Sequence, residues 1–252
     1  MSLFSVKDKV IIVTGGAGIL GRQYVAALTL AGAQVVVWDK TGSDESVDIT
    51  DELLVKKAVE KIVSSFGRID GLINNAAMNL AVDDPMAKQT QVPYEEYPID
   101  LWERELGANL TGAMICIKHV APIMMKQRSG SIINIASELS VIAHDHRVYN
   151  DATSRRFKSI AYPTTKAGIL GLTRQWAARL GEYNVRVNAL SPAGMHQAGQ
   201  PDDFAKRYSE TTMLGRMAEP GEYNGAITFL LSDAARFMTA QNLIIDGGRS
   251  AW

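Results

Sequence analysis

Short apolar runs and longer helical stretches alternate along most of this chain. The first run, Lys9 to Gly16 (KVIIVTGG), is rich in β-branched residues and ends in glycine, which is typical of a strand buried on both faces. A helical stretch at Ile19 to Leu30 and a second apolar run at Ala33 to Lys40 follow it. Strand, helix and strand in this order predict a right-handed parallel crossover. The chain is therefore restricted to folds built on a parallel sheet.

The alternation continues to the end of the chain. Further strands are predicted at Asp70 to Asn74, Ser131 to Ser137, Val185 to Leu190 and Asn242 to Asp246, and further helices at 51–66, 101–126, 162–181 and 220–232. A short third strand is expected around Asp48, joined to the second by a loop, because Thr41 to Val47 is too short for a crossover helix. The pattern predicts one α/β domain over 1–252, a Rossmann fold whose doubly wound parallel sheet has about seven strands in the order 3-2-1-4-5-6-7, with helices on both faces.

The charge and cysteine content restrict the partners of the protein. A formal net charge of -1 gives no overall field to attract nucleic acid or an anionic membrane. Cys116 is the single cysteine, so no internal disulfide can form and a buried, inert thiol is expected. Lys7, Asp8 and Lys9 interrupt the apolar core that a signal peptide needs, and we see no membrane-spanning run. We expect a cytoplasmic protein with no nucleic-acid or membrane partner.

The stretch TGGAGILG, from Thr14 to Gly21, fits two glycine patterns. Gly16, Gly18 and Gly21 fit GxGxxG, whereas Thr14, Gly15, Gly18 and Gly21 fit TGxxGxxG. A glycine turn between a strand and a helix allows the backbone to approach a pyrophosphate, which the helix N-terminus stabilises. The alternative is a tight turn that simply needs glycine.

Asp39 favours the cofactor interpretation of this turn. It ends the second strand 18 residues after Gly21, where a carboxylate can accept hydrogen bonds from ribose hydroxyls. A carboxylate there repels a 2'-phosphate, so we expect NAD, with NADP less favoured. The neighbouring Lys40 weighs mildly the other way.

Tyr162 and Lys166 are spaced i and i+4 in YPTTK, so on a helix both side chains lie over one face. A nearby ammonium favours the phenolate form of tyrosine, and a positive nicotinamide would add to that effect. Pro163 is tolerated at the first helical position, which puts Tyr162 at the start of the helix. The alternative is an ordinary surface pair, just as Ser137 could cap a turn and Asn109 could be a mid-helix polar residue.

These motifs together resemble the classical short-chain dehydrogenase/reductase family over essentially the whole chain. The resemblance is carried by Thr14 to Gly21, the NNAA run Asn74 to Ala77, Asn109, Ser137, Tyr162 with Lys166, Pro192 with Gly194, and IIDGG at Ile244 to Gly248. It implies that Tyr162 exchanges a proton with the substrate oxygen, that Lys166 assists it and holds the nicotinamide ribose, and that Ser137 hydrogen-bonds the reacting oxygen. It further implies that Asn109 distorts a helix and holds a water that leads to the lysine.

The resemblance also implies the cofactor contacts: Gly15, Gly18, Ile19, Leu20, Gly21, Asp39, Asp48, Ile49, Asn75, Ala76, Ala77, Tyr162, Lys166, Pro192 and Gly194. Classical members usually have TGxxxGxG, which would need glycine at Ile19. The observed TGxxGxxG is usual in extended members, many of them nucleotide-sugar epimerases. Extended members carry an additional C-terminal domain, whereas few residues follow Asp246 here, so a classical fold is expected. The expected function is an NAD-dependent oxidoreductase; a nucleotide-sugar epimerase with retained NAD and a non-catalytic NAD-binding regulator are the alternatives.

The segment between the serine and the tyrosine is long. Ser137 and Tyr162 are 25 positions apart, against about a dozen in classical members, so residues 138–161 are predicted to contain an active-site insertion. One interpretation is a lid whose Arg147, Arg155 or Arg156 clamps a phosphate or carboxylate of the substrate; the other is a solvated charged loop.

Three further expectations concern the substrate, metals and assembly. The insertion and the IDGGRSAW ending resemble dehydrogenases of bacterial surface-sugar and flagellin-modification pathways, which implies a polar small-molecule substrate, possibly a sugar or sugar phosphate. His144 and His146 have no evident third ligand, so no metal is expected. A homotetramer or homodimer is expected from pairing of helices near 106–126 and 161–181, with Met114, Ile117, Leu172 and Trp176 as candidate interface residues and core packing as the alternative.

Overall fold

The computed structural model describes residues 2–42, 46–79, 87–149 and 157–252. Within these residues one parallel sheet forms, with the strand order β2-β1-β3-β4-β5-β6. Its strands are β1 (Val10–Thr14), β2 (Gln34–Trp38), β3 (Gly71–Asn74), β4 (Gly130–Ile135), β5 (Val185–Pro192) and β6 (Asn242–Ile245). The predicted doubly wound α/β fold is confirmed.

Helices connect the strands and cover the sheet. They are α1 (Ile19–Leu30), α2 (Glu52–Phe66), α3 (Ala87–Thr90), α4 (Ile99–Leu106), α5 (Gly112–Gln127), α6 (Ala161–Leu180), α7 (Asp202–Ser209) and α8 (Asn224–Leu231). Local chemistry sets their ends: the Asp51 carboxylate accepts hydrogen bonds from the backbone N–H groups of Leu53 and Leu54 and so caps α2. Gly67, with φ of 72°, ends the same helix in the left-handed region that favours glycine.

The expected strand around Asp48 is not formed in the described residues. Only an isolated parallel bridge joins Asp39 to Ser46 there. Asp48 Oδ1 instead accepts hydrogen bonds from the backbone N–H and the hydroxyl of Thr50, at 2.9 and 2.7 Å, and this closes a turn just before α2. The described sheet therefore has six strands rather than about seven. As a result β2 is an edge strand, half-buried over most of its length instead of buried on both faces.

Apolar side chains fill both sides of the sheet. Ile12 of β1 packs in the layer beneath α2 and α5, whereas its neighbours Ile11 and Val13 pack beneath α1 and α8. This alternation follows from the period of two along a strand. Cys116 lies in the first of these layers, and burial raises the pKa of its thiol to about 12, as expected of an inert thiol.

One helical stretch in the described part of the chain, 99–127, is long and apolar enough to cross a membrane by length and composition. Half of its most apolar window is buried inside the protein. A core helix of this fold has the same properties, and α5 supplies much of the layer around Cys116.

Candidate active site

A cleft of about 1360 Å³ lies over the carboxyl ends of the strands. Its walls include the residues that follow β1, β2, β3, β4 and β5, where parallel α/β sheets place their ligands. The cleft is lined by most of the residues predicted to bind the cofactor: Gly15, Gly18, Ile19, Leu20, Asp39, Ile49, Asn75, Ala76, Ala77, Tyr162, Lys166, Pro192 and Gly194.

The glycine turn between β1 and α1 brings the backbone unusually close to itself. Gly15 has φ of 62°, and a Cβ there would lie 2.6 Å from Cα of Ala76. A Cβ at Gly21 would lie 2.1 Å from the carbonyl oxygen of Gly15. Gly18 is the extended residue before α1, and no side chain caps that helix. Gly15, Gly18 and Gly21 therefore realise the TGxxGxxG pattern, with the N-terminus of α1 facing the turn.

Ile19 replaces the glycine of the classical pattern without backbone strain. It is the first residue of α1 and does not belong to the residues with positive φ. Its side chain is 56% exposed and lines the cleft. A helical φ is open to any residue, so the substitution is compatible with the turn.

The NNAA run braces the turn against β3. Asn75 Nδ2 donates hydrogen bonds to the carbonyl oxygens of Thr14 and Gly15, at 3.0 and 2.9 Å. Asn74 has a different role, because its Nδ2 donates to Asn134 Oδ1 on β4 at 2.8 Å. Asn74 therefore links strands, whereas Asn75 and Ala76 face the cleft.

Two carboxylates follow β2, and they differ in position. Asp39 lines the cleft and its Oδ2 accepts a hydrogen bond from the backbone N–H of Ala17 in the glycine turn, at 3.0 Å. Asp48 pairs with Lys40 at 2.9 Å and is not part of the cleft lining, although the adjoining Val47 and Ile49 are. Of the two, Asp39 is the one placed to meet a ribose.

These features fit a dinucleotide. Glycine at positions 15 and 18 lets the backbone of the turn pack tightly at the N-terminus of α1, and Asp39 places a carboxylate beside the turn. The residues that would hold the group are those of the turn, Asp39, and Asn75 with Ala76 just after β3.

Tyr162 and Lys166 come together as their spacing predicts. Tyr162 is the second residue of α6, and Lys166 lies one turn further along the helix. The Lys166 Nζ lies 5.6 Å from the centre of the Tyr162 ring and donates a hydrogen bond to the Ile135 carbonyl oxygen at 2.7 Å. Both side chains line the cleft.

The pKa values of this pair are controlled by burial. Burial lowers the pKa of Lys166 to about 8. The pKa of Tyr162 is raised, mainly by burial and then by the charge of Glu138. In the protein alone, desolvation therefore outweighs the neighbouring lysine, and the expected acidification of Tyr162 is not produced by the chain itself.

Asn109 interrupts a helix, as the family resemblance implied. Residues Gly107–Thr111 wind as a π-helix between α4 and α5. Asn109 is buried, its Oδ1 accepts from the Met78 N–H at 2.6 Å, and its Nδ2 donates to the Met78 carbonyl and the Thr165 hydroxyl, at 3.1 and 3.2 Å. Asn109 thus ties the distorted helix to the chain after β3 and to α6.

Pro192 and Gly194 lie where β5 leaves the sheet. Pro192 ends β5, and Gly194 N donates a hydrogen bond to the Tyr208 hydroxyl at 2.6 Å. A Cβ at Gly194 would lie 2.7 Å from the Tyr208 ring, so this close contact needs glycine. Gln197 lines the cleft, whereas His196 is exposed and is not among its lining residues.

Comparison with known proteins agrees with this geometry. The family model described as enoyl-(acyl carrier protein) reductase matches residues 16–250. The chain is 30% identical to the 3-oxoacyl-(acyl-carrier-protein) reductase FabG of Thermotoga maritima, covering 96% of this chain and 98% of the relative. The chain belongs to the classical short-chain dehydrogenase/reductase family.

Two further similarities are to a glycerol dehydrogenase and to a structure with bound NAD+. It is 32% identical to the NAD-dependent glycerol dehydrogenase of Listeria innocua, covering 97% of this chain and 95% of the relative. Its fold matches the short-chain dehydrogenase of Leptospira borgpetersenii with bound NAD+, with a TM-score of 0.86, 28% identity, and coverage of 98% and 95% of the two chains. The chain is thus an oxidoreductase acting on CH-OH groups.

Ser137 of this short-chain dehydrogenase belongs to a buried hydrogen-bonded group. Its hydroxyl donates a hydrogen bond to Glu138 Oε2 at 2.7 Å, and Tyr208 and Arg249 both donate to Glu138 Oε1 at 3.0 Å. Sequence reasoning missed this group. The available signal was a charged residue, Glu138, shortly after the carboxyl end of β4 and directly after the candidate Ser137.

Ser159 was also missed. Its Oγ accepts hydrogen bonds from the backbone N–H groups of Ala161 and Tyr162, both at 3.1 Å, and donates to Glu105 at 2.8 Å. Ser159 therefore caps the helix that carries the proposed base. A serine three residues before the tyrosine, at the predicted helix start, was the available signal.

The segment 138–161 contributes a wall of the cleft. His144, Tyr149 and Lys158 line it, and burial lowers the pKa of His144 to about 3. Arg147 is 90% exposed and pairs with Asp145 at 2.8 Å, so for this residue the solvated interpretation is right. The other two candidate clamps, Arg155 and Arg156, lie outside the described residues. Among the residues that are described, no three His, Cys, Asp or Glu side chains are grouped to hold a metal.

Proposed function

We propose that this protein is an NAD-dependent dehydrogenase that interconverts a secondary alcohol and a ketone on a polar substrate, of the sugar or sugar-phosphate class. The observation that carries the proposal is that one cleft is lined by Tyr162, Lys166 and Ser137 and also by the glycine turn and Asp39. A proton-transfer group and a dinucleotide cradle therefore share the same space.

The cofactor assignment depends on Asp39. Its carboxylate is anchored to the glycine turn through the Ala17 N–H, so it cannot easily turn away from an incoming ribose. Lys40, a cation of the cleft lining that could attract a 2'-phosphate, is paired with Asp48. When bound, NAD supplies the hydride acceptor for the oxidation of the alcohol.

The chain's own residues supply the proton chemistry. Tyr162 removes the proton of the substrate hydroxyl, or returns it in the reverse direction. The buried Lys166 favours the ionised form of Tyr162 whenever it carries its ammonium charge. Ser137 lies in the same wall and fixes the reacting oxygen by a hydrogen bond.

The lining of the substrate side supports a polar ligand. Besides the catalytic residues, the cleft presents the side chains of His144, Lys158, Gln197 and Arg207. Such donors suit hydroxyl, carboxylate or phosphate groups, and the similarity to a glycerol dehydrogenase points the same way. A sugar derivative from a bacterial surface-sugar or flagellin-modification pathway is the narrower form of this proposal.

We also propose a cytoplasmic location and a homotetramer or homodimer. Met114 is a 40% exposed apolar side chain on α5, a helix with half of its residues buried, and Trp176 on α6 is half-buried. Pairing α5 and α6 with the same helices of a second copy would cover this surface. Ile117 is fully buried in the core, so for this residue the core interpretation is right. Sedimentation of the purified protein tests the assembly.

Replacement of Tyr162 by Phe tests the assignment. The variant should bind NAD with nearly unchanged affinity, measured by calorimetry, and should lose at least about a hundredfold in kcat, since a general base contributes roughly 10²–10⁴-fold. The alcohols for the assay come from a screen of polyols, sugar phosphates and hydroxy acids with NAD. Retained turnover in Tyr162→Phe would overturn the assignment of the base.

Cofactor preference and net reaction complete the test. Asp39→Ala should weaken NAD binding about tenfold and reduce the difference between the Kd values for NAD and NADP. Replacing the exposed Glu60 by Gln should leave both Kd values unchanged. Wild-type preference for NADP would refute the role of Asp39. NADH that accumulates in step with product identifies a dehydrogenase, whereas an epimerase would retain its cofactor and release none.

A further inference from the structure

A buried carboxylate adjoins the proposed active site. Glu138 follows Ser137 directly, and both side chains are buried in the wall of the cleft. Ser137 Oγ donates to Glu138 Oε2 at 2.7 Å and accepts a hydrogen bond from the backbone N–H of Leu139 at 3.2 Å. The single hydroxyl hydrogen of Ser137 is therefore engaged by the carboxylate, and its oxygen keeps one lone pair for the cleft.

The partners of Glu138 identify it as ionised. Its Oε1 accepts from the Tyr208 hydroxyl and from Arg249 Nη1, and the Arg249 guanidinium lies 4.6 Å from the centre of the Tyr208 ring. Burial raises the pKa of Glu138, but Ser137, Arg249 and Tyr208 all oppose that rise. Arg249 is buried as well, and a neutral Glu138 would leave this guanidinium without a counter-charge, which is strongly unfavourable.

Arg249 reaches this position through a defined turn after β6. Asp246 Oδ1 accepts from the Gly248 N–H at 2.9 Å and Oδ2 accepts from the Ser250 N–H at 2.7 Å. Gly248 has φ of 85°, which suits glycine at this bend. The hydrogen-bonded turn thus fixes the position of the Arg249 guanidinium.

We propose that Glu138 is a positioning residue for the reaction: it accepts the hydrogen bond of the Ser137 hydroxyl and so presents the remaining lone pair of the Ser137 oxygen to the Tyr162 hydroxyl, while Arg249 holds Glu138 in place. This inference rests on the proposed function, which gives Ser137 and Tyr162 their roles. An acceptor at Ser137 matches the protonated form of Tyr162. A ketone oxygen would have to compete with Glu138 for the same hydrogen.

Several charged and titratable groups face Tyr162, and Glu138 is prominent among them. After burial, the negative charge of Glu138 is the largest contribution that raises the pKa of Tyr162, followed by Tyr149 and then Glu105. The Lys166 ammonium lies over its ring, and Tyr24 also interacts with it. Ser137 is within hydrogen-bonding reach of the Tyr162 hydroxyl. Loss of the Glu138 charge should therefore release both the electrostatic opposition and the serine hydrogen.

The pH profile of turnover tests the proposal. The kcat for NAD-dependent oxidation of an alcohol from the screen is followed against pH in the full-length protein, and the midpoint of its acid limb reports the ionisation of Tyr162 in the working complex. In Glu138→Gln the Tyr162 midpoint should fall by about one pH unit, the scale on which a close like charge acts. An unchanged midpoint would mean that Glu138 is only structural, and would overturn the proposal.

A double-mutant cycle distinguishes two ways in which Glu138 could act on Tyr162: by orienting the Ser137 hydroxyl, or by its negative charge alone. Glu138→Gln is measured again in a Ser137→Ala background. If Glu138 acts through Ser137, the shift of the Tyr162 midpoint shrinks by at least about half in that background, because the hydrogen bond is already absent. Equal shifts in both backgrounds would show a purely electrostatic effect and overturn the positioning role.

Two controls protect the result against misfolding. Glu138→Gln/Arg249→Met removes both buried charges together, so no guanidinium is left unpaired, and the midpoint should still fall. Asp70→Asn removes another buried carboxylate, which pairs with the exposed Arg68 at the amino end of β3, and should leave the midpoint of Tyr162 unchanged. Turnover retained in Tyr162→Phe would defeat the proposed function, whereas an unmoved midpoint with an inactive Tyr162→Phe would defeat only this inference.

Discussion

The Lys166 ammonium nitrogen lies 5.6 Å from the centre of the Tyr162 ring, and its hydrogen bond to the Ile135 carbonyl fixes it there. Lys166 is buried, so its charge is costly unless another group compensates for it. The protein alone leaves both members of this pair displaced toward their neutral forms: the pKa of Lys166 is lowered and that of Tyr162 is raised. Both shifts have burial as their largest cause, and both should appear in the pH dependence of stability.

Lys166→Met should remove a stability gain that the wild type shows at alkaline pH. The lysine pKa is about 8 when folded against a model value of 10.5, so the unfolded chain binds more protons between these values. Stability therefore rises with pH through this window. From about pH 7.5 to about pH 9.5 the wild type should gain about 2 kcal/mol relative to Lys166→Met, measured by urea unfolding of the cofactor-free protein.

Ionisation of tyrosine sets the upper pH limit of this gain in stability. The pKa of Tyr162 is raised by folding, so above about pH 10 the unfolded chain loses the phenol proton first and stability falls. The Tyr162→Phe variant should show a smaller later loss and keep the earlier gain, because burial also raises the pKa values of other tyrosines, such as Tyr24 and Tyr208. If Lys166→Met and the wild type changed in parallel below about pH 9.5, the lysine would be charged in the folded protein throughout.

Ser159→Ala should affect turnover more than cofactor binding. The variant leaves the backbone N–H groups of Ala161 and Tyr162 without their acceptor, and removes a partner of the buried Glu105. Loss of such a cap costs about 1–2 kcal/mol of the free energy of unfolding. Because the loosened turn carries Tyr162, kcat should fall about tenfold or more while the Kd for NAD stays within about twofold.

Asp51→Ala is the matched control for Ser159→Ala. Asp51 caps α2 through Leu53 and Leu54, so its loss should cost a similar free energy of unfolding. Its kcat at saturating NAD should match the wild type, because α2 carries none of the proton-transfer residues. Equal effects of the two variants on kcat would show that Ser159 acts only through global stability.

The order of strands and helices could be predicted from the sequence because it depends on local patterns. β-branched runs and helical stretches located β1, α1 and β3 to within a residue or two. The prediction of a strand around Asp48 was wrong because the Asp48 side chain accepts two hydrogen bonds from Thr50 and closes a turn there. The apolar run at this position is too short to pair with β2. Local hydrogen bonding of an Asp side chain competes with strand formation and leaves little trace in apolar periodicity.

The ordered motifs also located much of the proposed site, but not its supporting residues. Tyr162, Lys166 and Asn109 fall where their spacing and the family resemblance implied. The Glu138–Arg249 pair could not be predicted, since its members are 111 positions apart and only the tertiary fold joins them. The pKa of Tyr162 in the chain alone could not be predicted for the same reason: spacing shows that a lysine is near, whereas desolvation depends on everything packed around the phenol. The prediction of a lowered pKa when the positive nicotinamide is also present remains a prediction.

Gly21→Ala should disrupt the glycine turn. A Cβ at this position would lie 2.1 Å from the Gly15 carbonyl oxygen and 2.7 Å from Cα of Gly16, and backbone atoms of this kind cannot rotate away. Helix α1 must therefore move relative to β1, at a cost of about 3 kcal/mol in the free energy of unfolding. The same movement displaces the N-terminus of α1, so NAD binding should weaken at least about a hundredfold, measured by calorimetry below the melting temperature.

Gly225→Ala provides the contrast within the same protein. Gly225 lies in α8 with a negative φ, and no heavy atom would come within 4 Å of an added Cβ. Alanine there should raise the free energy of unfolding by about 0.5 kcal/mol, because it restricts the unfolded chain, and should leave NAD binding unchanged. Normal NAD affinity in Gly21→Ala would show that the close approach of α1 to β1 is a packing feature of the sheet, and that the pyrophosphate is held elsewhere in the cleft.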